Sequence, residues 1–349
     1  MTQSPRQAAP RAQAQRRREP SGVTLRHVAA AAGVSVATAS RAFSRPEKVD
    51  PSTRARILRL ADDLRYVPNR AAQALITGRT MALGLMVPDL TNPFFPGVIK
   101  GAQARARDRG LSLLIADTDE DPGAELALVG QLAQRTDAIV LCSSRMPDDD
   151  LDRAARLCPV VLVNREHPGV PAVTFDSDAG VREAAVHLRA LGHRRVGYVG
   201  GPAHSFSDAA RAACLHAEFP AHGLEVVLLG NHDPSFEGGR RAADVVLSSD
   251  VTAVMVHNDV MALGLIGRLL DYGLDIPREL SVIGWDDIEF AGMFTPGLTT
   301  VRMPREEAGR AAVAYLEAAL GGRPSEPPRL ETRLVFRQTT AREHQRRPG

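Results

Sequence analysis

Side chains that can bind a hydroxyl-rich ligand follow five apolar segments in the larger, C-terminal part of the chain. They are Asn92, Phe94 and Phe95 after segment 82–87, Asn164 and Arg165 after 160–163, Arg211 after 195–200, Asp259 after 253–256, and Asp286 after 281–285. Amides, carboxylates and guanidinium groups exchange hydrogen bonds with hydroxyls, and an aromatic ring covers the apolar face of a cyclic ligand. Helix capping is the alternative role for Asp259 and Asp286. The set predicts a binding site for a polyhydroxylated small molecule.

Catalytic and metal-binding motifs do not accompany these residues. The sequence lacks G-x-G-x-x-G after its first apolar segment and lacks G-x-x-x-x-G-K-[ST] throughout. His193, His204 and His257 have no serine or cysteine nucleophile at catalytic spacing, and the three cysteines lack the spacing of metal ligands. We therefore expect no cofactor, no metal and no enzymatic activity, with an active site assembled from distant residues as the alternative.

Charge is divided unevenly along the chain. Residues 1–79 carry 15 Lys/Arg and 5 Asp/Glu, a formal charge of +10, whereas residues 80–349 carry 28 Lys/Arg and 36 Asp/Glu, a formal charge of −8. A basic N-terminal part predicts a polyanionic partner. No apolar run reaches the roughly 20 residues of a membrane helix, and residues 1–20 lack the apolar stretch of a signal peptide. We expect a cytoplasmic protein with no membrane partner.

Alternating strands and helices must position the predicted ligand-binding side chains. Apolar segments that predict strands lie at 82–87, 111–117, 138–142, 160–163, 195–200, 225–230, 253–256 and 281–285. Amphipathic segments of helical length separate most of them, which is typical of parallel sheets covered on both faces. Eight strands exceed one compact sheet domain, so we expect an α/β body of two doubly wound lobes. Ligands of such sheets bind in the cleft at the carboxyl ends of the strands.

Three short helices are predicted before this body, within residues 24–66. Thr24 can cap the first helix, Gly33 supplies a tight turn, and Ser35 can cap a second helix at about 36–44. We expect the second helix to bury Ala39 and Phe43 and to expose Val36, Ala37, Thr38 and Arg41. Asp50-Pro51 begins a third helix. The turn and the close helix crossing predict an all-α helix-turn-helix that binds DNA, with a generic three-helix bundle as the alternative.

A marginal helix is predicted after these three. Asn69 can cap the segment RAAQALIT at 70–77, which Gly78 ends. About eight residues are too few for a stable isolated helix. We expect this hinge to fold only when DNA and a second copy of itself hold it in place.

The strings AAGVSVATASRAF, SRPEKVDPSTR and RYVPNRAAQAL resemble the DNA-binding headpiece of the LacI/GalR family of bacterial transcription regulators. The resemblance implies that the second helix reads base edges in the major groove and that paired hinge helices occupy the minor groove. The DNA-binding residues it implies are Thr24, Ser35, Val36, Ala37, Thr38, Ser40, Arg41, Asn69, Arg70, Ala72 and Leu75. Arg41 would contact a guanine or a phosphate. Leu75 would wedge between the central base pairs.

The strings NPFF, VNR, ALGHRRVGYVGGP, HNDVMALGL and VIGWDD resemble the periplasmic-binding-protein-like, type I effector domain of the same family, over nearly all of residues 80–341. The resemblance implies that the effector cleft is lined by Asn92, Phe94, Phe95, Asn164, Arg165, Arg211, Asp259 and Asp286. Asn164 stands where the family often has aspartate. Pro234 stands where an aromatic is usual, with Phe236 as a candidate substitute. A carbohydrate is the favoured effector class.

Together these expectations describe a dimeric, effector-controlled regulator, most often a repressor, that binds a near-palindromic operator in double-stranded DNA. A binding module for transport is the alternative, against which the headpiece and the missing signal peptide argue. The predicted parts are a disordered basic extension (1–22), the headpiece (23–67), the hinge helix (68–79), the two-lobed effector-binding and dimerisation domain (80–341) and a tail (342–349).

Overall fold

The computed structural model describes residues 23–67, 78–323 and 325–343 of the 349-residue chain. The chain divides into two compact units, Met1–Gly78 and Arg79–Gly349. The predictions for the N-terminal extension, for hinge residues 68–77 and for the tail from 344 onwards lie outside the described residues. Within the described ranges, no helix combines the length and the apolar character needed to cross a membrane.

Three α-helices and a short 3-10 helix form the described part of the N-terminal unit. They are α1 (Leu25–Ala31), α2 (Val36–Ser44), the 3-10 helix (Pro46–Lys48) and α3 (Pro51–Asp63). Ser35 caps α2, because its Oγ accepts a hydrogen bond from the Thr38 N–H at 3.1 Å. Asp50 caps α3 in the same way, through the Thr53 N–H at 3.0 Å. Gly33 has a φ of 62°, in the left-handed region that glycine adopts without strain.

The core of this unit lies where the three helices meet. Val28, Ala39 and Ile57 are fully buried there. Ala42 is also fully buried, and its small side chain lets α3 approach closely. Arg54 of α3 therefore reaches the Ala42 carbonyl oxygen, to which its Nε donates at 3.2 Å.

Two burial predictions for α2 need correction. Phe43 is half-buried rather than buried, because it lies at the edge of the core with its ring 5.7 Å from the ring of Tyr66. Thr38 is half-buried rather than exposed, because its hydroxyl folds back to within 2.9 Å of the Ser35 Oγ.

A six-stranded parallel sheet forms the first lobe of the larger unit. Its strands are β1 (Ala82–Val87), β2 (Ser112–Asp117), β3 (Ala138–Cys142), β4 (Val160–Val163), β5 (Ala172–Asp176) and β11 (Arg329–Glu331), in the order β11-β5-β4-β3-β1-β2. Its helices are α4 (Phe94–Asp108), α5 (Pro122–Ala133), α6 (Asp148–Leu157) and α12 (Arg305–Leu320). The central strands β1 and β3 are buried along their whole length, as a sheet covered on both faces requires.

The second lobe repeats this design. Its strands are β6 (Arg195–Gly200), β7 (Glu225–Asn231), β8 (Ala253–Val256), β9 (Ser281–Asp286), β10 (Thr299–Arg302) and β12 (Arg333–Val335), in the order β12-β10-β9-β8-β6-β7. Its helices are α7 (Ser177–Ala190), α8 (Phe206–Ala221), α9 (Phe236–Ser248), α10 (Asp259–Asp271) and α11 (Glu289–Met293). Only β12 runs antiparallel to its neighbour among the described strands. The predicted two-lobed α/β architecture is confirmed.

The predicted set of eight strands is confirmed but incomplete. Each of the eight is present with its ends within one residue of the prediction. The four missed strands lack a continuous apolar run. In β5 only Val173 and Phe175 are buried, β10 opens with two threonines, and β11 and β12 have three residues each.

The chain crosses between the lobes three times, after β5, after β10 and between β11 and β12. Helix α12 follows a strand of the second lobe but packs on α4, β4 and β5 of the first. At this crossing a Cβ on Gly101 would overlap the Glu306 carbonyl oxygen, and one on Gly309 would overlap that of Val98. The two glycines therefore allow backbone-to-backbone packing, and late residues of the chain complete the first lobe.

Candidate functional sites

One side of α2 lines a shallow cavity of about 830 Å³. We call it the reading face; it is lined by Leu25, Val36, Ala37, Ser40, Arg41, Ser44, Arg45 and Lys48. Val36, Ala37 and Arg41 are exposed, whereas Ser40 is half-buried. The surface thus offers apolar groups at the start of α2 and cations at Arg41, Arg45 and Lys48.

The cations of the reading face form no ion pair within residues 23–67. Residues 23–67 contain eight Lys/Arg and four Asp/Glu, yet within this described segment no side chain forms an ion pair. Arg41 lies within α2 and Arg45 follows its last residue, and both line the reading face. Lys48 lines it as well. Arg45 and Lys48 were absent from the predicted DNA-binding residues. The spacing of four residues between Arg41 and Arg45 was a sequence signal for Arg45.

The remaining predicted DNA-binding residues divide into two groups. Thr24 precedes α1, and its backbone N–H donates to His27 Nδ1 at 3.1 Å. Ser35 and Thr38 are joined through their hydroxyls and hold the start of α2 in place. The hinge residues Asn69, Arg70, Ala72 and Leu75 lie outside the described residues.

In the second lobe, Arg211 and Asp286 form a buried pair at the carboxyl ends of the strands. Arg211 Nη2 lies 3.5 Å from Asp286 Oδ1, Arg211 Nη1 donates to the His257 carbonyl oxygen, and the guanidinium lies 4.7 Å from the ring centre of Trp285. Asp286 Oδ1 accepts no hydrogen bond from any described residue. Burial raises the pKa of Asp286 to about 7, against the opposing charges of Arg211 and Arg305. A direct contact between this carboxyl oxygen and an effector stays a prediction.

A second buried carboxylate, Asp208, lies on the same helix as Arg211. Burial opposes its ionisation, but hydrogen bonds from His257, the Gly201 N–H and the Tyr198 hydroxyl outweigh burial and lower the pKa of Asp208 to about 2. Burial lowers the pKa of His257 to about 4, so the ring is neutral and its Nδ1, 2.9 Å away, donates to Asp208 Oδ1. A Cβ on Gly201 would collide with the His257 ring. Asp208 and His257 were not predicted, although both follow predicted strands closely.

Asp259 is bonded within the protein. Its Oδ1 accepts from the Thr300 hydroxyl at 2.5 Å and its Oδ2 from the Ile288 N–H at 2.9 Å. The cap of α10 is instead Asn258, whose Oδ1 accepts from the Met261 N–H at 2.8 Å. Burial and the charge of Asp286 raise the pKa of Asp259 well above its ordinary value. A direct contact between Asp259 and an effector stays a prediction.

Three predicted residues precede or begin α4 in the first lobe. Asn92 Oδ1 accepts from the Phe94 N–H at 3.0 Å and so fixes the turn into the helix. The Phe94 and Phe95 rings meet edge to face at 5.2 Å and belong to the hydrophobic core. The two rings support the wall of the cleft from within, and their contact with an effector stays a prediction.

Asn164 and Arg165 follow β4 and contact the loop between β3 and α6. Asn164 Nδ2 donates to the Ser143 Oγ at 2.9 Å. Arg165 Nη1 donates to the carbonyl oxygens of Ser144 and Met146 at 2.9 and 2.5 Å. Asn164 has a φ of 60°, a left-handed conformation that asparagine tolerates better than most residues. Both side chains brace the loop that follows β3.

That loop carries Arg145, a buried residue absent from the predicted set. Its guanidinium contacts Glu120 in the first lobe and Ser205 in the second. The sequence did contain a signal for a role of Arg145 in the cleft, because Arg145 lies three residues after the predicted strand 138–142. The pairing with Ser205 was not visible, because sixty residues separate the two positions.

Phe236 begins α9 and is exposed, and its replacement of an aromatic at Pro234 stays a prediction. The end of the Phe236 ring lies near Gly267, in the C-terminal half of α10. The Pro234 carbonyl oxygen accepts from Asn258 Nδ2 at 3.1 Å. This part of the cleft is therefore built from backbone and amide groups.

Comparison with known proteins identifies both parts of the chain. Residues 24–69 match the family model described as bacterial regulatory proteins, lacI family, and residues 185–340 match the periplasmic binding protein-like domain. The chain is 35% identical over 333 residues to the HTH-type transcriptional regulator GalR of Salmonella typhimurium (strain LT2), covering 92% of this chain and 95% of that one. It is 31% identical over 308 residues to the HTH-type transcriptional repressor CytR of Escherichia coli (strain K12), covering 86% and 90%.

Solved structures show the same architecture. The Lac repressor dimer bound to operator and the anti-inducer ONPF has a TM-score of 0.81 and 28% identity, covering 92% of this chain and 99% of that one. The transcriptional regulator CelR in complex with cellobiose has a TM-score of 0.67 and 30% identity, covering 91% and 99%. The chain therefore belongs to the lacI family of bacterial regulatory proteins, and it is a DNA-binding transcriptional regulator rather than an enzyme.

Proposed function

We propose that this regulator is a repressor that binds a near-palindromic operator as a dimer, and that a carbohydrate in the interlobe cleft controls its operator affinity. The observation that carries the proposal is the reading face, where Arg41, Arg45 and Lys48 form no ion pair within residues 23–67. Cations left without protein partners are free to bind phosphate or guanine. The name of the relative CytR supports repression.

The reading face enters a major groove in each half-site. Val36 and Ala37 offer only apolar contact, for instance to a thymine methyl, and Arg41 is the residue that reads a base edge. Phosphate contacts by Arg45 and Lys48 supply much of the affinity, and such contacts make binding weaken steeply with added salt. The hinge residues Asn69, Arg70, Ala72 and Leu75 complete the proposed interface in the minor groove, with Leu75 as the wedge.

The effector occupies the carboxyl ends of the strands of both lobes. In the second lobe Arg211 donates hydrogen bonds to the effector, and Asp286 Oδ1, which accepts no hydrogen bond from a described residue, accepts them. In the first lobe Asn164 faces the loop after β3. A carbohydrate supplies the hydroxyls that such groups bind. The complex of the structural neighbour CelR with cellobiose supports this class.

An exposed apolar patch in the second lobe supports a dimer. Phe290, Met293 and Phe294 are 48%, 71% and 49% exposed within and next to α11. Neighbouring apolar side chains with this exposure are typical of a protein interface, and a twofold axis would place two such patches against each other. A dimer also presents two reading faces to the two half-sites. Because its family consists of bacterial regulatory proteins that bind DNA, we expect the regulator to act in the cytoplasm.

Selection from random near-palindromic duplexes tests the DNA-binding part. We expect the wild-type chain to enrich one sequence class, with affinity that falls as salt rises. Arg41→Ala should lose specificity at one position in each half-site, whereas Arg59→Ala on α3 removes the same charge and should leave the selected sequence unchanged. Enrichment of no sequence over a random competitor contradicts the proposal. A melting-temperature screen against a carbohydrate library tests the effector, since a ligand that binds only the native state raises the melting temperature.

A further inference from the structure

Arg145 connects the two lobes across the cleft. It lies three residues beyond β3 of the first lobe, and its Nη1 donates to the Ser205 Oγ of the second lobe at 2.9 Å. The Arg145 side chain is 4% exposed and Ser205 is 1% exposed. A hydrogen bond from a charged donor is stronger than a neutral one, and exclusion of water strengthens it further. We call Arg145 and Ser205 the interlobe latch.

Two carboxylates fix the Arg145 half of the latch within the first lobe. Glu120 accepts from Nε at 2.7 Å and from Nη2 at 3.1 Å, a bidentate pair. Glu125 accepts from the Arg145 backbone N–H at 2.6 Å. The guanidinium is a rigid planar group, so these bonds set its direction. A rotation of the lobes must therefore break the bond to Ser205 before it breaks the pair with Glu120.

The Ser205 half of the latch belongs to the effector site of the second lobe. Ser205 caps α8 by accepting from the Asp208 N–H at 3.3 Å. The same helix carries Arg211, whose guanidinium approaches Asp286. A displacement of Ser205 relative to Arg145 therefore moves a helix that bears two of the buried polar groups of the cleft.

We propose that Arg145 is a positioning residue that holds the two lobes in the arrangement described, through its bond to Ser205, and so sets the balance between lobe arrangements on which effector control depends. The inference rests on the proposed effector control of this cleft. An effector shifts such a balance only as far as it prefers one arrangement. The latch adds a fixed bias to that balance in the absence of any ligand.

The distance between the lobes in the unliganded full-length protein tests the latch directly. Spin labels on cysteines introduced at Leu157 of α6 and Val245 of α9, both exposed, report the distance once the three native cysteines are replaced. We expect Arg145→Met and Ser205→Ala each to broaden the distance distribution, and the double variant to broaden it no further than either alone. Ser205→Asp keeps a helix cap and gives Arg145 a carboxylate partner, so it should narrow the distribution.

Operator affinity provides a second readout that a merely structural role would not move. With the duplex selected by the wild-type chain and no added ligand, Arg145→Met should change affinity by about fivefold or more. Arg145→Lys should change it less, because it keeps the charge. Distance distributions of Arg145→Met and wild type that coincide overturn the latch. Broadening by Arg145→Met but not by Ser205→Ala also overturns it, because the effect would then act through Glu120. Neither distance result depends on DNA binding, so a wild-type chain that selects no duplex counts against the proposed function alone.

Discussion

The reading face of α2 and the interlobe cleft use the same kinds of side chain in opposite ways. On the reading face, Arg41 is exposed and makes no ion pair within residues 23–67. In the cleft, Arg211 is 4% exposed and is bonded to a carbonyl oxygen, a carboxylate and an aromatic ring. One surface keeps its cations free for a partner, whereas the other has already bonded most of its polar groups to the protein.

This difference separates two kinds of recognition. A free cation can bind any phosphate, so the reading face can hold DNA without first breaking a bond in the protein. A ligand in the cleft competes with existing bonds, and replacing those bonds moves the helices that bear them. The reading face can therefore bind DNA without a rearrangement of the protein. Ligand binding in the cleft would instead require the surrounding helices to move.

The largest expected effect is the loss of stability in Arg211→Ala. Removing one partner of a buried charge pair leaves the other unpaired, which costs about 3–5 kcal/mol in the free energy of unfolding. Urea unfolding of the full-length protein measures it. We also expect the effector response to disappear while operator binding persists at temperatures where the variant is folded.

Arg278→Ala is the matched control for that prediction. Arg278 forms an ion pair with Asp275 at 3.4 Å on the surface, with its side chain 79% exposed. Exposed pairs contribute about 0–1 kcal/mol, so this variant should unfold almost as the wild type does. Equal losses of stability in both variants would remove the contrast between the buried ion pair of Arg211 and the exposed ion pair of Arg278.

A pH-dependent stability is the second expected effect, and we expect Asp286 in the cleft to contribute to it. Burial raises the pKa of Asp286 to about 7 in the folded protein, whereas an unfolded aspartate titrates at about 3.9. The folded state therefore binds more protons between these values, and stability falls as pH rises from about 4 to about 7. Unfolding free energies at both ends of this window should differ less in Asp286→Asn than in the wild type. An unchanged pH dependence in the variant contradicts the assignment.

Arg41→Ala gives the third effect, on DNA binding rather than on folding. Loss of a guanine contact should weaken operator binding by about 1–3 kcal/mol, measured by fluorescence anisotropy. The free energy of unfolding should change by at most about 0.5 kcal/mol, because the side chain has no partner to lose within residues 23–67. A uniform loss of affinity across all duplexes would instead identify Arg41 as a phosphate contact.

The smallest effect is expected at Ser35, which holds the start of α2. Ser35→Ala removes the acceptor for the Thr38 N–H and should destabilise the N-terminal unit by about 1 kcal/mol, as followed by thermal unfolding. Ser35→Asp retains a capping oxygen and should restore most of the loss. Failure of aspartate to do so would show that the cap is not what stabilises the start of this helix.

The sequence was most informative where structure is local. Continuous apolar runs located eight strands, and Ser35 and Asp50 marked helix starts, because caps and buried strands depend on neighbouring residues. The prediction missed β5, β10, β11 and β12 because they are short or interrupted by polar residues. Strands that pair with them lie far away in the chain. Asn258 rather than Asp259 caps α10, a distinction of one residue that spacing alone does not resolve.

The sequence predicted which strand ends contribute side chains to the cleft, but not the hydrogen bonds that join these side chains. Arg211 and Asp286 were found because each follows a strand. Arg145, Asp208 and His257 were not, because their roles depend on bonds between segments that only the folded chain brings together. Phe94 and Phe95 also belong to the hydrophobic core, which their position after a strand did not indicate; their contact with an effector stays a prediction.

The return of α12 to the first lobe has a consequence for synthesis on the ribosome. Residues 23–67 are contiguous, so the N-terminal unit can fold as soon as it emerges. The first lobe must wait for α12 (Arg305–Leu320) and β11 (Arg329–Glu331), and contacts between distant segments form slowly. A chain that stops before residue 305 would therefore present a finished reading face attached to an unfinished first lobe. Such a truncated product would keep the exposed cations of α2 but lack a complete interlobe cleft.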